Sequence, residues 1–159
     1  MHPKLTVLVA EDTPSDALFL ERAFCKVGLT KPVEVLPDGS EVIAYLSGSG
    51  KYADRARFPL PTLLFTDLKM PRVNGFDLLI WLREHPQCAI PTVVFSDSGA
   101  VEDVKRAYQL GATAYLVKPG TVEELEDLVR LSCQFFANSV QAPVPGAAQR
   151  DEADLVSSL

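Results

Sequence analysis

The sequence has no long apolar run. Nowhere does it approach the roughly 18 apolar residues that a membrane span needs. The N-terminal stretch MHPKLTVLVAED has too short an apolar part, and no cleavage site, for a signal peptide; it reads as a first strand. Positive charge is scarce: 15 Lys and Arg stand against 21 Asp and Glu, a net charge of −6. That balance excludes a surface built for nucleic acid or an anionic membrane, because too little is left to neutralise phosphates. The 3 cysteines, Cys25, Cys88 and Cys133, have no CxxC spacing. An odd, dispersed set predicts reduced core thiols in a cytoplasmic protein, and excludes a disulfide framework or a zinc site. The 2 histidines, His2 and His85, are too few for a His-based metal centre or triad, and His85 before Pro86 suits a helix end. SGSGKY has part of a phosphate loop, but Tyr52 follows Lys51 where Ser or Thr is needed. What remains is an ordinary globular composition, 47% hydrophobic and 23% charged over 159 residues, enough for one domain with a proper core.

Short apolar runs alternate with helical patterns. The predicted strands are Leu5–Ala10, Val33–Leu36, Thr62–Thr66, Thr92–Phe95 and Ala114–Val117. Between them, Ser15–Val27 carries apolar residues at Leu18, Phe19, Ala23 and Val27 and stops at Gly28. Ser40–Leu46 follows the Pro37-Asp38-Gly39 turn. Phe76–Glu84 begins after a cap at Asn74, holds Trp81 for packing, and ends before Pro86. Val101–Leu110 runs into Gly111, and Thr121–Phe136 opens with a capping-box spacing and buries Val122, Leu125, Leu128 and Val129. The alternation predicts an α/β fold, a (βα)5 doubly wound five-stranded parallel sheet. Residues 1–137 form the domain, interrupted by a long connection at 47–61, and residues 138–159, rich in Ala, Pro and polar residues, are expected to be a flexible tail.

In such a sheet the carboxyl ends of all strands share one edge, where ligands bind. Here that edge receives Glu11 and Asp12 from the first strand, Asp67 from the third, Ser96-Asp97-Ser98 from the fourth and Lys118-Pro119 from the fifth. Each has a plain structural reading. Glu11 and Asp12 can start a helix, Asp67 can make an Asx turn before Pro71, Ser96 and Asp97 can cap a helix, and Lys118 can be a solvated lysine. Independent caps would not gather at one edge, however. Clustered carboxylates repel and call for a cation, and a hard oxygen set suits Mg²⁺. With Lys118 and Ser96 facing the anionic side, the combination points to phosphoryl chemistry.

Four segments in order, LVAEDTPSD, LLFTDLKMPRVNGFDLL, PTVVFSDSG and GATAYLVKP, resemble the response-regulator receiver domain of two-component signalling. The likeness covers Lys4 to Phe136. The longer stretches YLSGSGKYADRARFPLPTLLFTDL and RAYQLGATAYLVKP resemble the stand-alone receivers that partner bacterial phytochromes and related histidine kinases. The resemblance implies a flavodoxin-like receiver fold. It also implies that Asp67 accepts a phosphoryl group from a phosphohistidine, and that Asp12 and Asp67 ligate Mg²⁺, or Mn²⁺ in its place. Glu11 would hold the metal largely through water, and the main-chain carbonyl of Lys69 would be a further ligand. Lys118 pairs with the phosphoryl oxygens, Ser96 is the switch hydroxyl and Tyr115 the switch aromatic, and the Lys118–Pro119 peptide is cis. The implied partners are a sensor histidine kinase, of the phytochrome type by the narrower likeness, and/or a histidine phosphotransfer protein. Homodimerisation is compatible with this; nucleic-acid and membrane binding are not expected.

After Phe136 only the tail remains, so output would be partner contact or phosphoryl relay. Asp97, Lys69 beside the site and Gly120 after Lys118-Pro119 depart from the usual receiver pattern. Asp97 in particular keeps a second reading open, a receiver-like interaction module that works without phosphorylation. An aspartyl phosphohydrolase is excluded, because the second acid such enzymes need two residues after the nucleophile is replaced by Lys69.

Overall fold

The computed structural model describes residues 5–28, 30 and 33–141. Five strands, β1 (Val7–Ala10), β2 (Glu34–Leu36), β3 (Leu63–Thr66), β4 (Thr92–Ser96) and β5 (Ala114–Val117), pair in parallel in the order β2-β1-β3-β4-β5. They alternate with α1 (Pro14–Val27), α2 (Gly39–Ser47), α3 (Gly75–Glu84), α4 (Val101–Gln109) and α5 (Val122–Gln141).

The central strands β1, β3 and β4 are buried at every position because both sheet faces are covered. Successive side chains point to opposite faces. Val7, Val9, Leu63, Phe65, Val93 and Phe95 therefore meet α1 and α5 through Leu20, Phe24, Leu125 and Val129. Leu8, Ala10 and Leu64 meet α2 and α3 through Val42, Tyr45, Leu78 and Leu82. Val94 joins a smaller cluster with Leu79 and Ala107.

The caps follow the local chemistry. Gly28, at φ 74°, closes α1 with its N–H on Phe24 O. Asn74 and Asp77 form a reciprocal capping box on α3. The Thr121 hydroxyl accepts from Glu124 N at 3.2 Å, which starts α5 one residue later than the pattern predicts. α5 then continues to Gln141, into the segment expected as tail; residues 142–159 lie outside the described ones.

The connection at 47–61 is packed. Its 3-10 turn Gly50–Ala53 buries Tyr52, whose ring lies 5.0 Å from Tyr45 and 5.1 Å from Phe58. The Tyr52 hydroxyl donates to Glu41 Oε2 at 2.6 Å, and Arg55 donates to Leu46 O at 3.1 Å and Phe58 O at 3.3 Å. These contacts extend the apolar layer of α2 and satisfy the connection's polar groups.

Several expectations are corrected. Leu5 makes an isolated bridge with Thr30 and lies outside the strand proper. The inward face of α1 is Leu20, Ala23 and Phe24; Leu18 and Phe19 are exposed, because the contact with α5 selects a stripe rotated from theirs. Val122, at the first position of α5, is exposed too. Of the three expected core thiols only Cys133 is buried; Cys25 is exposed on α1 and Cys88 half-buried. No cis peptide occurs among the described residues, so Lys118–Pro119 is trans, the isomer an X–Pro bond favours when nothing selects the other.

Candidate functional site

The sheet register assembles the site. Ala10 pairs with Thr66, and Ser96 with Val117. The residue after each strand is still held by the ladder: Asp67 N donates to Ala10 O at 3.0 Å and Lys118 N to Ser96 O at 2.8 Å. Glu11 N likewise donates to Leu36 O at 3.0 Å. Glu11, Asp67 and Lys118 are thus fixed by backbone pairing in one row before any side-chain contact is made.

The Lys118 ammonium is the hub. It donates to Asp67 Oδ2 at 3.0 Å and to Asp16 Oδ2 at 2.8 Å, and Glu11 Oε2 lies 2.9 Å away. The Lys118, Asp67 and Glu11 side chains are only 7%, 9% and 1% exposed. The second Asp67 oxygen accepts from Leu68 N at 2.6 Å, and Glu11 Oε1 accepts from Thr13 N at 3.2 Å. Glu11 Oε2 sits at ion-pair distance from the ammonium and is a buried oxygen with no hydrogen bond. Gly75 allows Asp67 its position: a Cβ there would fall 2.3 Å from Asp67 O.

Buried Glu11 and Asp67 meet the exposed Asp12 at this edge, with one carboxylate oxygen from each of the three lying within 4.8 Å of the others. The donor set, three hard oxygens with one buried oxygen unpaired, fits a divalent cation such as Mg²⁺ or Mn²⁺. Lys69 lines the same groove as Asp12, together with Asn74 and Asp103.

Charge balance shapes the titration of the site. Burial pushes the Glu11 carboxyl up to about 7; the Lys118 ammonium opposes that rise and the Asp67 charge adds to it. Burial alone would lower the Lys118 value, but the Asp16, Glu11 and Asp67 carboxylates around it overcome this and hold it above the ordinary lysine range. Lys118 is therefore a fixed positive charge.

Ser96 and Tyr115 converge on one residue of the β4–α4 loop. Buried Ser96 accepts from Ser98 N at 3.2 Å through its hydroxyl, and the Tyr115 hydroxyl donates to Ser98 O at 2.6 Å. Tyr115 packs beside the cluster of Leu79, Val94 and Ala107. Asp97 is exposed and caps nothing: α4 begins after Ala100, and the Ser98 hydroxyl accepts from Ala100 N at 3.3 Å while donating to Asp103 Oδ2 at 2.5 Å.

Two features were missed by sequence reasoning. Asp16 stands on the first turn of α1, and an acidic residue at a helix start four positions after Asp12 was the available signal. The other is Arg72, in the loop after Asp67 at φ 66°, whose guanidinium pairs with the fully buried Asp38. Asp38 also accepts from Ser40 N at 2.8 Å and Glu41 N at 3.1 Å, capping α2. Nothing local in the sequence announces a pair so far apart along the chain.

Residues 7–130 match the response regulator receiver domain family. Among solved structures, the response regulator RPA3017 in red light signalling of R. palustris is 31% identical, with a TM-score of 0.77 over 82% of this chain and 92% of that one. The phosphorylated cyanobacterial phytochrome response regulator RcpA is 27% identical, with a TM-score of 0.77 over 89% of this chain and 99% of that one. The Mn²⁺-bound form of response regulator Rcp1 is 26% identical, with a TM-score of 0.75 over 88% of this chain and 99% of that one. Rcp1 of Synechocystis, compared by sequence, is 27% identical over 143 residues, 89% of this chain and 95% of Rcp1. The order of strands, the extent of the match and the acidic edge agree: the chain belongs to the response regulator receiver domain family.

Proposed function

We propose that this receiver is a phosphoacceptor switch, taking a phosphoryl group onto Asp67 from the phosphohistidine of a sensor histidine kinase or a histidine phosphotransfer protein. The observation that supports this best is the setting of Asp67. Its carboxylate is buried at the strand edge, with one oxygen on Leu68 N–H, the other on Lys118, and Glu11 and Asp12 beside it.

In the transfer, an Asp67 oxygen forms the bond to phosphorus as the P–N bond of the donor breaks. The freed imidazole nitrogen keeps the bonding pair and takes up a proton. Lys118 donates to the phosphoryl oxygens. Asp12, Asp67, Glu11 largely through water, and the Lys69 main-chain carbonyl would hold Mg²⁺, which would supply charge neutralisation on those oxygens. Mn²⁺ serves in its place, in keeping with the Mn²⁺-bound Rcp1 structure.

Ser96 turns its hydroxyl toward the phosphoryl group and gives up Ser98 N–H. Because Tyr115 is tied to the carbonyl of that same residue, the movement reaches the face formed by α4, β5 and α5, which then contacts a partner or a second copy. The protein acts as a switch, not as an enzyme turning over an external substrate. The likeness to the phytochrome response regulator RcpA and to RPA3017 of red light signalling supports a phytochrome-type kinase as donor. The net charge of −6 argues against a nucleic-acid or anionic-membrane partner; among the described residues no helix is long and apolar enough to cross a membrane.

Beryllofluoride, which mimics a phosphoryl group on a carboxylate, tests this reading. Saturable binding that needs Mg²⁺ and is lost in Asp67→Asn supports it. No binding by the wild-type protein makes the phosphorylation-independent interaction module the better account.

A further inference from the structure

The structure places a fourth carboxylate, Asp16, against Lys118, outside the three acids that cluster for a cation. Its oxygen is 2.8 Å from the ammonium, slightly closer than that of Asp67 at 3.0 Å. Its side chain is 34% exposed and sits on the first turn of α1, after Pro14, where the helix N-terminus favours negative charge.

Lys118 needs such an anchor. A lysine ammonium rides on a flexible four-carbon stem, and here a cavity of about 290 Å³ opens beside it, walled by Phe19, Phe95, Gly120 and Thr121. A Cβ on Gly120 would touch nothing, so no side chain fills that wall. Of the acids around the ammonium, Glu11 lies at 2.9 Å without a hydrogen bond, which leaves Asp67 and Asp16 as the hydrogen-bonded pair. Asp67 changes during the reaction: once an oxygen carries phosphorus, its carboxylate charge is gone and its pull on the lysine weakens. Asp16 is unchanged before and after transfer.

We propose that Asp16 is a positioning residue for phosphoryl transfer, anchoring Lys118 from the α1 side so that the remaining donors of its ammonium face Asp67 and the phosphoryl group. The inference rests on the phosphoacceptor reading of Asp67. Asp16 touches neither metal nor phosphoryl group; it acts through Lys118.

The test compares the affinity for Mg²⁺ alone with that for beryllofluoride in saturating Mg²⁺, in the wild type, Asp16→Ala, Asp16→Asn, Lys118→Ala and the Asp16→Ala/Lys118→Ala double variant. Asp16→Ala is expected to weaken beryllofluoride binding about tenfold, the scale of one charge-assisted hydrogen bond. Affinity for Mg²⁺ alone should change less than about threefold, because Asp16 is outside the acid cluster and bonds Lys118, not a metal-ligating carboxylate. Asp16→Asn, whose amide oxygen still accepts from Lys118, should recover most of the loss. In the Lys118→Ala background the Asp16→Ala effect should vanish. Unchanged beryllofluoride binding in Asp16→Ala, an equal loss of Mg²⁺ affinity, or a loss that persists without Lys118 overturns the anchor while the phosphoacceptor reading stands. Failure of the wild type to bind beryllofluoride overturns both.

Discussion

Glu11→Gln should stabilise the metal-free protein, and by an amount that depends on pH. Glu11 is buried beside the Asp67 charge, one of its oxygens has no hydrogen bond, and despite the nearby Lys118 ammonium burial pushes its carboxyl from 4.5 to about 7. A folded value raised above the unfolded one means that the protonated form is favoured in the fold. That contribution is complete below pH 4.5, declines as pH rises toward 7, and is gone above it. At about 1.4 kcal/mol for each tenfold, the rise corresponds to a ceiling of about 3 kcal/mol at pH 8. The glutamine amide sets an N–H donor near the Lys118 ammonium, which offsets part of this, so the expected gain is about 1 to 3 kcal/mol. Urea unfolding of both proteins in EDTA at pH 4.5, 6 and 8 measures it. The variant should match the wild type at pH 4.5 and exceed it most at pH 8, and millimolar Mg²⁺ should narrow or reverse the difference by binding the wild type better. A Glu11→Gln protein no more stable at pH 8 than the wild type, or a gain that does not vary with pH, refutes the assignment of Glu11 as the site's unfavourably buried acid.

Other consequences can be checked with standard measurements. Gly75→Ala brings a Cβ to 2.3 Å of Asp67 O and 2.8 Å of Leu68 Cα; backbone must move, and a loss of at least about 2 kcal/mol with weakened Mg²⁺ binding is expected in urea and calorimetric titrations. Asp38→Ala removes the α2 cap and the partner of Arg72 together and should cost about 2 to 4 kcal/mol, whereas Asp38→Asn, which keeps the cap, should cost about 1. In native protein a thiol reagent should label Cys25 promptly and leave Cys133 untouched, since Cys133 is fully buried with its thiol pushed up to about 12; rapid labelling of Cys133 would mean that α5 opens locally.

The fold is legible because its signal is periodic: five apolar runs spaced by helical patterns admit one layered arrangement. From that arrangement the sheet edge follows, and with it Glu11, Asp12, Asp67, Ser96 and Lys118. What the pattern hides depends on tertiary contacts. The inward stripe of α1 is set by α5, so a local reading selects Leu18 and Phe19 where Leu20 and Phe24 are buried. Asp97 has the chemistry of a cap, but α4 begins only after Ala100, and Ser98 makes the local bonds instead. The connection at 47–61 looks like a loop until Tyr52 and Phe58 find Tyr45. Asp16 lies within the motif LVAEDTPSD yet gains significance only when Lys118 arrives from the far end of the sheet.

The central claim is that Asp67 carries the phosphoryl group. Intact-mass measurement after incubation with Mg²⁺ and the phosphorylated histidine kinase domain of a phytochrome-type sensor addresses it directly, with Asp67→Asn and an EDTA-treated sample run alongside. One phosphoryl adduct is expected on the wild type, with none on the variant and none without the metal. An adduct that persists in Asp67→Asn, or none on the wild type when beryllofluoride also fails to bind, would contradict the account.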